Sequence, residues 1–219
     1  MKPEIIKRIL SSIILIPMAL FFIIKGSLLF NFFISICFLI TVYEWQFMTR
    51  KKNYNLIGLI FLIISFYSVY KLRNSFIGDY IYLLFVTIVC VSTDIGGYAF
   101  GKIFKGPRLT KISPKKTYSG MIGGFILSTI TATIFFNNVF LFNNLTKDLT
   151  LGLFILVLLI SAISQLGDII VSYFKRLSKI KDTGKIIPGH GGLLDRIDGM
   201  IFAFPFSYLA FSTNIFKLF

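Results

Sequence analysis

Seven apolar runs separated by short polar connections fill most of this 219-residue chain, near Ile9–Ile24, Leu28–Met48, Leu56–Tyr70, Tyr80–Phe100, Gly120–Phe136, Leu149–Phe174 and Leu193–Phe211. One bilayer crossing takes about 20 apolar residues, so the runs predict an all-α polytopic membrane protein of about seven transmembrane helices. Little chain is left over. The whole of residues 1–219 is therefore read as one integral membrane domain, and any chemistry must sit in loops and at helix ends. Only 15% of the residues are charged, against roughly 25% in a soluble domain. The basic start up to Arg8 with the first apolar run imitates a secretory signal, but no small-residue cleavage pattern follows it, and it is expected to be the first span.

The net charge is +14. A nucleic-acid binder carries such charge around a polar body; here the basic residues interrupt apolar runs, so the expected partner is a bilayer and not a nucleic acid. With the N-terminus in the cytoplasm, 18 of the 23 Lys and Arg residues fall in inner segments, as the positive-inside rule demands. The other five, Lys25, Lys71, Arg73, Lys147 and Lys217, fall outside, and so does the C-terminus. Two inner connections, Gly101–Ser119 and Lys175–Gly192, are long, basic and rich in Gly and Pro. Trp45 is expected to be an interfacial anchor, and Cys37 and Cys90, both in apolar runs, to be small buried hydrophobes and not parts of a disulfide or metal cluster.

Four acids lie where an ionised side chain costs about 2.5 to 3.5 kcal/mol on insertion scales. Asp94 and Asp168 fall in the last turns of the fourth and sixth runs, and Asp195 and Asp198 in the first turns of the seventh. The alternation of spans thus puts all four at one depth on the cytoplasmic side. Asp195 and Asp198, three apart, share a helix face, and their repulsion calls for a divalent cation or Arg196. Oxygen donors of this kind suit Mg²⁺. A lone Asp at a helix start would be read as a cap; a converging set points to a site. Glu44, at the inner end of the second run, is a further acid whose role the sequence leaves open.

The basic loops have a texture beyond orientation. Ser113-Pro114-Lys115-Lys116-Thr117 sets two cations and two hydroxyls before a helix near Gly120, and helix N-termini favour phosphate. Pro188-Gly189-His190-Gly191-Gly192 is a turn whose bare amides could cradle anions, placed directly before Asp195. His190, the only histidine, is either a hydrogen-bonded structural residue or an acid–base group. A phosphate-binding turn beside a carboxylate pair is the layout of Mg²⁺-dependent phosphoryl or nucleotidyl transfer.

These residues also resemble a family. Ser172-Tyr173-Phe174-Lys175-Arg176, then Lys181-Asp182-Thr183-Gly184, then Pro188 through Asp198 are similar to the signature of the phosphatidate cytidylyltransferases, or CDP-diacylglycerol synthases. A second block, Asp94–Tyr98 with Gly101, Ile112–Thr117 and Gly120, resembles the same family, and with Gly167-Asp168 the likeness spans residues 94–198. Gly97 stands where the family often has Ala, and Ser119 where it has Glu; upstream the likeness reduces to a basic start and the Glu44-Trp45 pair. The resemblance implies conversion of CTP and phosphatidate to CDP-diacylglycerol and pyrophosphate with Mg²⁺, at the cytoplasmic face of the plasma (inner) membrane, by a homodimer. It further implies Asp168, Lys175, Arg176, Asp195 and Arg196 as catalytic residues, and Asp94, Ser113, Lys115, Lys116, Thr117, Lys181, Gly189, His190, Gly191 and Gly192 as substrate-binding ones. Asp168, Asp182, Asp195 and Asp198 are the implied metal ligands. Two other readings carry different expectations. A CTP-dependent lipid kinase, or a synthase on another lipid phosphate, would share the topology and phosphate chemistry, whereas a cation- or proton-coupled transporter would hold its acids near the bilayer midplane.

Overall fold

A computed structural model describes residues 3–50, 52–76, 80–138, 151–189 and 191–213. Every apolar run within them is helical: α1 (Pro3–Lys25), α2 (Ser27–Thr49), α3 (Asn55–Asn74), α4 (Ile81–Phe104), α5 (Tyr118–Asn138), α6 (Leu151–Leu177), a single turn α7 (Leu194–Ile197) and α8 (Met200–Ser212). The all-α membrane architecture is thus borne out. α2 to α6 are each long and apolar enough to cross a bilayer, while the apolar part of α1, Leu10–Lys25, and α8 are shorter.

The seventh run differs from the continuous helix expected of it. It breaks at Asp198-Gly199, yet both residues keep right-handed helical dihedrals (φ −57°, ψ −37° and φ −75°, ψ −40°). The path therefore stays helical while the bonding shifts, and the Gly199 carbonyl accepts the amides of both Phe202 and Ala203 at 3.2 Å. α8 alone rises only about 20 Å, whereas Leu194 to Ser212 together rise about 28 Å, close to the roughly 30 Å of hydrocarbon. Two other helices outrun their apolar runs. α4 continues to Phe104 and α6 to Leu177, because Lys102, Lys175 and Arg176 are good helix formers whose charge suits a helix C-terminus. Asp94 and Asp168 consequently lie two to three turns inside their helices and not in the last turn.

Close packing depends on missing side chains. α4 and α5 form the tightest pair: a Cβ on Gly96 would lie 2.4 Å from the Gly123 carbonyl oxygen, one on Gly120 2.6 Å from that of Gly97, and one on Gly123 2.3 Å from Phe100. Small residues that let backbones approach are what hold helices together in lipid, where water supplies no drive between them. Hydroxyls reinforce the contact, with Thr131 donating to Ser92 at 2.8 Å between α4 and α5, and Thr93 to Ser161 at 2.8 Å between α4 and α6. One core includes Phe30, Leu72, Phe85, Val89, Leu156 and Phe211. A second holds Trp45, Met48, Leu62, Val171, Leu194 and Ile201.

Trp45 corrects the sequence reading. It is buried, edge-on to Phe174 at 5.4 Å with its Nε1 donating to the Asn55 carbonyl at 3.1 Å, and it fills the space opposite Gly58. The outward face of α5 carries Ile122, Ile126, Ile130 and Ile134, an exposed i, i+4 stripe, as a lipid-facing helix requires.

Candidate active site

The acids converge because two glycines let α6 and the α7–α8 segment touch. A Cβ on Gly199 would fall 2.5 Å from Ser164 Oγ, and one on Gly167 2.6 Å from the Phe202 ring and 3.1 Å from the Asp198 carbonyl oxygen. Asp168 and Asp198, each adjacent to one of these glycines, are thereby brought within electrostatic reach of one another and of Asp94. Asp94, exposed on α4, also feels Lys116 and Arg196.

Cations from two separate segments meet these carboxylates. The connection after α4 folds back on itself: Arg108 and Thr117 form an isolated antiparallel bridge, the Leu109 amide donates to the Lys116 carbonyl at 2.7 Å, and the Lys116 amide donates to that of Ser113 at 3.0 Å. This turn aims Lys116 at α6, where its Nζ pairs with Asp168 Oδ2 at 2.5 Å and donates to the Gln165 carbonyl at 3.3 Å. Asp168 Oδ1 accepts the Ser172 hydroxyl at 3.3 Å. Thr117 Oγ1 accepts the Gly120 amide at 3.1 Å, so this hydroxyl begins α5. Ser113 is half-buried with its amide donating to Thr110 Oγ1, and Lys115 is exposed.

Lys175 is the second cation. Its Nζ lies 3.0 Å from Asp195 Oδ1 and 3.5 Å from Asp198 Oδ2, with the side chain 10% exposed. The repulsion anticipated between Asp195 and Asp198 is thus relieved by an ammonium from α6. Asp195 Oδ2 accepts the amides of Thr183 at 2.8 Å and Gly192 at 3.1 Å. Three donors on one carboxylate make Asp195 the joint at which α6, the loop after it and α7 are tied.

The glycine turn is a closed one. Ile187 and Gly191 exchange two backbone bonds of 2.9 and 3.1 Å, and Gly189 and Gly191 adopt φ of +75° and +90°, the left-handed region that glycine occupies without strain. His190 lies outside the described residues. Asp182, Lys181, Arg176 and Arg196 are exposed, and Arg176 donates to the Ile180 carbonyl at 3.2 Å, closing the end of its own helix. The bonds of Glu44 and Thr183 were not anticipated from sequence. Glu44 is 1% exposed and reaches the amides of Leu193 and Leu194; its place as an acid at the end of an apolar run and the paired likeness Glu44-Trp45 were the signals pointing to it.

Among the described residues, no three of His, Cys, Asp and Glu form a group that could hold a metal. What the arrangement offers is two hard carboxylates, Asp168 and Asp198, beside two ammonium groups. Such a donor set fits Mg²⁺, which takes one or two carboxylates and fills its remaining positions with water and substrate phosphate.

Known proteins share this layout in sequence. A profile described as the cytidylyltransferase family matches residues 55–214, α3 through α8. A phosphatidate cytidylyltransferase of Rickettsia bellii is 38% identical over 207 residues, covering 93% of this chain and 89% of that protein. One from Rickettsia felis is 36% identical over 208 residues (93% and 91%), and one from Bacillus subtilis 36% over 153 residues (68% and 54%). The matched stretch carries both lysine–carboxylate pairs and the glycine turn, and on that ground the chain belongs to the cytidylyltransferase family.

Proposed function

We propose that this chain joins CTP to phosphatidate, forming CDP-diacylglycerol and pyrophosphate, at the cytoplasmic rim of the inner membrane. The observation that carries the reading is the pair of ammonium–carboxylate contacts, Lys116 on Asp168 and Lys175 on Asp195 and Asp198, gathered at one end of an apolar bundle. One phosphate arrives in the bilayer and the other from solution, and a polar cluster at a bundle end is where both can be met.

In the reaction a phosphatidate phosphate oxygen attacks the α-phosphorus of CTP in line. The new P–O bond forms as the bond to the β-phosphate oxygen breaks, and pyrophosphate leaves with the electron pair. The nucleophile is already an anion and needs no strong base. The main task is charge: Lys116 and Lys175 neutralise phosphate oxygens as negative charge moves onto the leaving group, with Lys115, Arg176 and Arg196 at the exposed edge. The hydroxyls of Ser113 and Thr117 orient the triphosphate. Asp168 and Asp198, with Asp94 nearby, would hold Mg²⁺, which when bound would supply Lewis-acid polarisation of the phosphates. Asp195 serves as the joint that fixes Lys175, and Asp182 stands by at the exposed loop.

The test is turnover by purified protein in detergent with CTP, phosphatidate and Mg²⁺, using CTP labelled at either the α- or the γ-phosphorus. Label from the α position in the lipid product, with release of pyrophosphate, is the expected result. Transfer of the γ-label alone would identify a lipid kinase and overturn the reading.

A further inference from the structure

Glu44 belongs to α2 and stands outside residues 55–214, the part matched to the family. It is nevertheless bonded into the signature segment. Its Oε1 accepts the Leu193 amide at 2.9 Å; its Oε2 accepts the Leu194 amide at 2.8 Å and the Thr183 hydroxyl at 3.1 Å. The two amides open α7, where a helix has no acceptors of its own to offer. Thr183 completes a circuit, since its own amide donates to Asp195 Oδ2 at 2.8 Å, and the loop is strung between two carboxylates. Asp195 Oδ1 then holds the Lys175 ammonium at 3.0 Å.

The glycines of the signature make room for this carboxylate. A Cβ on Gly184 would lie 2.7 Å from Glu44 Oε1, and one on Gly192 2.7 Å from Oε2 and 2.2 Å from Thr183 Oγ1. Gly192 thus has a packing reason for being glycine, separate from any contact with phosphate. The residue type is equally constrained. All three partners donate, so both terminal atoms at position 44 must accept, and a carboxylate satisfies that where an amide turns one acceptor into a donor.

We infer that Glu44 is a positioning residue for cytidylyl transfer: it fixes the loop from Thr183 to Leu194 and, through Thr183 and Asp195, the place of the Lys175 ammonium, without touching a substrate. The inference rests on the functional reading above. Glu44→Gln inserts an NH₂ opposite at least one donor and loosens the circuit, while leaving the groups that meet CTP intact.

The experiment compares wild type, Glu44→Gln, Thr183→Val and the double variant in detergent. CDP-diacylglycerol formation is followed as CTP varies, and calorimetric titration with CTP counts competent sites per chain. For Glu44→Gln the expected result is a fall in kcat per competent site of at least about tenfold, with CTP stoichiometry unchanged and KM within about threefold. The double variant should lose less than the product of the single losses, because both substitutions cut one link. A role in folding alone would lower the stoichiometry and leave kcat per competent site as in wild type; that result overturns the inference. Thr183→Val, which removes one donor at nearly constant volume, carries the same per-site test if Glu44→Gln fails to fold, with an expected loss of at least about threefold and equal per-site activity as the refuting result. A wild-type chain that forms no CDP-diacylglycerol refutes the functional reading and this inference with it. An active wild type with an equally active Glu44→Gln refutes the positioning role alone.

Discussion

Lys116 touches a carboxylate and a carbonyl at once, and the compactness of its ammonium decides whether both fit. Asp168 Oδ2 and the Gln165 carbonyl lie 2.5 and 3.3 Å from a single Nζ, which the broad planar guanidinium of arginine does not reproduce. Lys116→Arg is therefore expected to insert normally and lose more than about tenfold in activity, roughly 1.4 kcal/mol of transition-state stabilisation. Lys52→Arg, on an exposed residue between α2 and α3, is the control and should be nearly silent in the same assay. Equal effects would return Lys116 to the class of merely topological charges. Asp195→Asn should abolish turnover while the protein still reaches the membrane, since an amide cannot accept from two backbone N–H groups and an ammonium together. Near-normal rates would show that Lys175 is placed without it. At this scale much was readable: the acids and lysines stood out because charge is expensive in an apolar run. The bonds of Glu44 were not, because its partners lie 139 to 150 positions away and periodicity reports only on a residue's own helix.

Helices were legible as apolar runs, and their ends were not. Apolarity stops where the membrane does, whereas the backbone stays helical past Phe100 and Phe174 through residues that favour helix. The break at Asp198-Gly199 was hidden for a different reason: both residues keep helical dihedrals, and only the hydrogen bonding shifts, at a glycine that lets α6 approach closely. That approach makes a sharp prediction about glycines. Gly96→Ala should destabilise the protein by about 1 to 3 kcal/mol, the usual cost of overpacking, because its Cβ would sit 2.4 Å from a backbone oxygen. Gly97→Ala should be nearly neutral, since there the nearest atom is 3.7 Å away. Melting in detergent, monitored by circular dichroism, separates the two, and equal melting temperatures would contradict the packing described between α4 and α5.

Bundle and membrane together set the last two expectations. Chelation with EDTA should abolish activity and Mg²⁺ restore it, with zinc-selective chelators at low concentration nearly inert, because the site offers carboxylate oxygens and no cysteine. Activity surviving EDTA would remove the metal from the mechanism and leave the lysines to neutralise the phosphates alone. Topology is the more demanding test, since it depends on the weakest span. Seven crossings would put the two ends of the chain on opposite sides, and by the 18-to-5 division of basic residues the N-terminus, both basic loops and the acids would lie in the cytoplasm. α7 and α8 must then act as one crossing of about 28 Å, although α8 contains Pro205 and is too short alone. Lys147→Cys and a cysteine appended after Phe219, in a background with Cys37 and Cys90 replaced, should both react with an impermeant thiol reagent from the outer side. A cysteine at residue 52 should react only after the membrane is opened. If the terminal cysteine were also protected, α7–α8 would be a re-entrant segment returning to the cytoplasm, and the bundle would cross six times. The acids would keep their side even then, because Asp168 and Asp195 are joined through a polar loop that has no means of crossing a bilayer.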